Sequence, residues 1–129
     1  MLFSCAVCVM NSLVVSTFRK LENQAIKQQY NEIYNHELAH KSVAGALAGP
    51  IVIEKNSQGI PIGGHVSIKM PKLDLKNPNS TIVNAEKVIK SALAPFNPSS
   101  QDYKVASQAQ KIRNTALNYK KAPKIDYFC

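Results

Sequence analysis

Apolar residues recur through the first half of this chain with the period of a helix. Ile26, Tyr30, Ile33, Glu37, His40, Ala44 and Leu47 follow one another at steps of three and four, the stripe of an amphipathic helix with one covered face. No proline interrupts residues 20–47, and Gly49-Pro50 supplies a stop just beyond them. The pattern therefore predicts a helix over about residues 20–47. Glu37 and His40 fall within the stripe and His36 at its edge, so chemically capable side chains point the same way as the apolar ones. Buried imidazoles and a buried carboxylate need partners or a metal, because unpaired charge in an interior is costly.

Ahead of this helix, residues 2–18 form the most apolar stretch, broken by Ser4, Asn11, Ser12, Ser16 and Thr17. It has no basic n-region before it, which argues against a signal peptide. At about seventeen residues with several polar ones it is marginal as a membrane span. We expect this segment, residues 1–19, to pack on the domain as a buried strand or helix. Membrane contact through residues 1–18 is the alternative, with Arg19 and Lys20 then keeping the rest of the chain on the cytoplasmic side.

Beyond Pro50 the period changes. Ile51-Val52-Ile53, the turn residues Asn56-Ser57-Gln58-Gly59, and the run from Ile62 to Met70 read as a β-hairpin. In the second run Val66, Ile68 and Met70 alternate with Ser67 and Lys69, as in a half-buried strand. The hairpin edge offers a place for an extended peptide to add as a further strand. Pro71 to Pro78 reads as a linker. A second helix is expected from about Ser80 to Leu93, capped by Asn79 or Ser80, with Ile82, Ala85, Ile89 and Ala92 on one face. After Pro95 and Pro98, a third is expected from Ser99 to about Tyr119, with Ala106, Ala109, Arg113 and Ala116 in period. Residues 120–129 form a basic tail. The fold class is therefore α+β: a small, mainly helical domain over residues 20–119, with one hairpin and two C-terminal helices.

Composition narrows the partners. The 129 residues carry 16 Lys and Arg against 8 Asp and Glu, a formal charge of +8. Only Arg19 and Arg113 are arginines, the lysines are scattered, and no aromatic pattern of the kind that stacks bases accompanies them. We expect a solvated lysine-rich surface and no nucleic-acid partner. Three cysteines, Cys5, Cys8 and Cys129, exclude a complete disulfide framework. We expect free thiols in a reducing, cytoplasmic compartment.

The chemistry sits in His36-Glu37-Leu38-Ala39-His40. With three His and five Glu in the chain, HExxH would arise by chance in about one such sequence in four hundred. Histidines four apart stand one helical turn above each other and can reach one zinc ion, with the glutamate as general base for a metal-bound water. The pattern points to a zinc metallopeptidase acting on a peptide or protein substrate: Glu37 takes the proton of the attacking water and passes it to the leaving amine. The alternative is a non-catalytic interaction domain stapled by zinc, in which a fourth protein ligand closes the site to water.

These residues, with Ala44-Gly45, Ala48-Gly49, Gly63-Gly64-x-Val66-Ser67-Ile68, Ala92-Leu93-Ala94-Pro95 and Pro98-Ser99-Ser100-Gln101-Asp102, resemble the SprA-related family of bacterial zinc metalloproteases. The likeness covers roughly residues 20–118 in order and in spacing. It implies a zinc-dependent peptidase. The chain departs from the family pattern at His65, where the family has a glutamate after the paired glycines, and at Lys69, where it has an aspartate. His65 is the expected third zinc ligand, since it is the one remaining histidine and holds that glutamate position. Asp102 is the rival ligand. Its competing role is structural, because Ser99-x-x-Asp102 also spells a capping box at a helix start.

Overall fold

A computed structural model describes residues 2–122, with side chains described from Met10 onward. The readings placed on Cys5, Cys8 and Cys129 lie outside the described side chains. The elements run α1 (Leu2–Ala44), a 3-10 turn (Gly45–Leu47), β1 (Ala48–Lys55), β2 (Pro61–Ile68), α2 (Pro78–Ala92) and α3 (Ser100–Lys121). The fold is mainly helical with one two-stranded antiparallel hairpin, a small α+β domain as expected.

Helix α1 differs from expectation at both ends. It begins at Leu2 rather than near Lys20, so the apolar stretch is helical. Its described part does not pack: Met10, Leu13, Val14, Val15, Phe18 and Leu21 are all exposed. Among the described residues no helix is long and apolar enough to cross a membrane. At the other end α1 stops at Ala44, before the expected stop at Gly49-Pro50. Gly45 takes φ +56° there, the left-handed conformation that ends helices and that glycine adopts without a Cβ penalty. Gly49 and Pro50 instead open β1.

The stripe holds in the second half of the helix. Glu37, His40 and Ala44 are buried, and Ile26, Ile33 and His36 are half-buried, while most positions between them are exposed. Tyr30, which the stripe also includes, is exposed.

Contacts divide the chain into two compact units, Met1–Tyr34 with Ile53–Gly64, and Asn35–Val52 with His65–Cys129. In the first unit, Gln29 Nε2 donates to the Pro61 carbonyl at 2.6 Å and Lys55 Nζ lies 5.8 Å over the Tyr30 ring. The hairpin turn is built by Asn56, whose Oδ1 accepts from the backbone N–H groups of Gln58 and Ile60. Gly59 completes that turn at φ +77°, a value that favours glycine.

The second unit holds the main core. Helices α2 and α3 pack on each other, and their buried positions are small: Thr81, Ala85, Val88, Ser91 and Ala92 on α2, and Ala106, Ala109 and Ala116 on α3. Arg113 Nε donates to Glu86 Oε1 at 3.1 Å between them. Helix α2 starts two residues earlier than predicted, at Pro78, with Asn77 as its cap. Proline fits there because the first helical residues have no N–H partner to lose. The segment before α2 is ordered by Thr81, whose Oγ1 donates to the Lys72 carbonyl and accepts from the Asp74 N–H. Helix α3 begins after Ser99 as predicted and runs on to Lys121, two residues into the expected tail.

Candidate metal centre

Within the second unit, α1 presents His36, Glu37 and His40, and the first turn of α3 presents Asp102. His36 Nε2 and His40 Nε2 are 3.3 Å apart. Asp102 Oδ2 lies 3.3 Å from the first and 3.2 Å from the second. Three donor atoms thus form a nearly equilateral triangle. His40 is buried, and His36 and Asp102 are half-buried.

Two supports fix the triangle. His40 Nδ1 is 2.8 Å from the Ser91 carbonyl oxygen. A carbonyl only accepts, so Nδ1 carries the proton, and the Nε2 of a neutral His40 is left with its lone pair. Asp102 is held at the start of α3 by the capping box: the Ser99 N–H donates to Asp102 Oδ2 at 2.8 Å, and the Asp102 N–H donates to Ser99 Oγ at 3.1 Å. A lone pair of His40 therefore faces a carboxylate oxygen at hydrogen-bond distance with no proton of its own to place between them. An arrangement of this kind is satisfied by an added proton or by a cation.

Glu37 lies beside the triangle at 7 % exposure. Burial pushes its carboxyl above the ordinary value of 4.5; His40, His36 and His65 draw it down, and Asp102 adds to the rise. Removal from water penalises the charged form, and this effect prevails. A carboxyl so placed is a better proton acceptor than an exposed one.

Asp102, and not His65, completes the group of three. His65 lies on β2 on an exposed position of the strand, outside the set whose donor atoms converge. It does act on Glu37 through its charge. The capping box and a place in the converging donor set, which the sequence sets against each other, fall to one and the same residue. Ser91 carried no signal in the sequence, where it is one small residue on a helix face; only the bond to His40 reveals it.

A family model for the SprA-related family matches residues 16–121. The chain belongs to the SprA-related family. No curated protein and no solved structure matches it.

Proposed function

We propose that this protein is a zinc-dependent metallopeptidase in which His36, His40 and Asp102 hold the metal and Glu37 is the general base. The observation that carries this reading is the triangle of His36 Nε2, His40 Nε2 and Asp102 Oδ2, with edges of 3.2 to 3.3 Å. Bonds of about 2.0–2.2 Å at tetrahedral angles set donor atoms roughly 3.3–3.6 Å apart, and the triangle matches the short end of that range, so the residues fit a zinc ion. Two imidazoles and one carboxylate also make a donor set that suits catalytic zinc and leaves a coordination position open.

When bound, zinc makes water a strong nucleophile at neutral pH and polarises the carbonyl of the scissile bond. The chain's own residues do the rest. Glu37, buried and raised above its ordinary value, accepts a proton from the attacking water and delivers it to the leaving amine nitrogen. Ser91 and Ser99 hold His40 and Asp102 in place through the bonds described above.

The test is hydrolysis of a fluorogenic peptide library by the wild type beside Glu37→Gln, with and without a chelator. Cleavage that requires zinc and falls by about 10²–10⁴ in Glu37→Gln supports the proposal. Cleavage that survives the substitution or the chelator contradicts it. A chain that binds zinc but cleaves nothing is the non-catalytic zinc-stapled domain.

A further inference from the structure

Ser91 is fully buried on α2, where the other buried positions are Thr81, Ala85, Val88 and Ala92. A hydroxyl in such a place costs stability unless it is bonded, and this one donates to the His40 carbonyl oxygen at 2.7 Å. The same residue's carbonyl accepts from His40 Nδ1 at 2.8 Å. His40 and Ser91 are therefore joined twice, once through backbone of His40 and once through its ring. A single bond would let the imidazole pivot about its contact. The carbonyl bond sets the tautomer, and the hydroxyl bond ties Ser91 to the His40 backbone, so that the carbonyl keeps its aim at the ring and the Nε2 lone pair keeps its direction.

We infer that Ser91 is the positioning residue of the metal centre: its hydroxyl holds α2 against the His40 carbonyl, so that its own carbonyl is set to orient the His40 ring. The inference rests on the metal reading above, and it adds a residue that carries no HExxH signature. The need for it is physical. A histidine ligates through Nε2 only when Nδ1 is the protonated nitrogen, and the partner of Nδ1 decides this.

The hydroxyl is removed by Ser91→Ala, which keeps the backbone carbonyl. Thr81→Val serves as the control, because Thr81 is a buried hydroxyl on the same helix that bonds Lys72 and Asp74 and touches no ligand. Zinc affinity is measured by competition with a chromophoric chelator, and the His40 tautomer is read from imidazole ¹⁵N shifts in the metal-free protein. Ser91→Ala should weaken zinc by about 10–100-fold, the usual cost of losing an outer partner of a ligand. It should also shift His40 away from the Nδ1–H form. Thr81→Val should lower Tm and leave both readouts unchanged.

Unchanged zinc affinity in Ser91→Ala, or an equal loss in Thr81→Val, overturns the inference. Should the wild type bind no zinc, the metal reading fails by itself. The tautomer readout then still decides: an unaltered His40 signal in Ser91→Ala overturns the positioning role, and a shifted one upholds it.

Discussion

Ser99 and Asp102 exchange two hydrogen bonds at the start of α3, and the Asp102 oxygen that accepts from the Ser99 N–H at 2.8 Å is also the one 3.2 Å from His40 Nε2. One carboxylate oxygen thus caps a helix and faces the histidines. Asp102→Ala should lose both roles. Helix capping losses of this type run to about 1 kcal/mol, and loss of a direct ligand should weaken zinc by more than the 10–100-fold typical of an outer partner. Asp102→Asn keeps an oxygen for the Ser99 N–H but not the charge. It should retain most of the stability and still lose the metal, as denaturant melts and chelator competition on the two variants will show.

Helix capping and metal ligation are alternatives only when the sequence is read one residue at a time. The carboxylate oxygen has lone pairs for both, a fact that spacing along the chain does not carry. The helical phase of α1 did carry over: Glu37, His40 and Ala44 are its buried positions, since the period of the stripe is itself the geometry of a covered face. The hairpin turn at Asn56–Gly59 was legible for a similar reason, because turn chemistry is local. The end of α1 was not. Gly45 lies within the expected helix, residues 20–47, and nothing in the sequence distinguishes a glycine tolerated in a helix from one that takes positive φ. His65 was preferred over Asp102 for its residue type, but donor convergence depends on where β2 and α3 stand in the folded unit.

Gly45→Ala tests the helix stop. A Cβ there would meet only the end of the Lys87 side chain, Nζ at 3.5 Å and Cε at 3.9 Å, ordinary contacts, so the penalty comes from φ +56°. The left-handed conformation costs a non-glycine residue about 1–2 kcal/mol. Urea denaturation should show a loss of that size with an unchanged m-value.

The buried carboxyl of Glu37 sets a pH dependence in the metal-free protein. Its folded pKa is raised above 4.5, so in the window above 4.5 the folded state holds this proton more tightly than the unfolded state. Stability then falls as pH rises through that window, and the cost is fully present above the folded pKa. Glu37→Gln removes the ionisation. Relative to wild type, in chelator, its Tm should gain more at pH 7 than at pH 4; a gain that is constant with pH would contradict the burial of the charge.

Zinc stoichiometry, by elemental analysis of purified wild type beside His40→Ala, Asp102→Ala and His65→Ala, tests the metal centre most directly. One zinc per chain is expected in the wild type and in His65→Ala, with loss in His40→Ala and Asp102→Ala. A wild type that takes up no zinc after reconstitution would contradict the centre altogether, and loss in His65→Ala with retention in Asp102→Ala would contradict the ligand set of His36, His40 and Asp102.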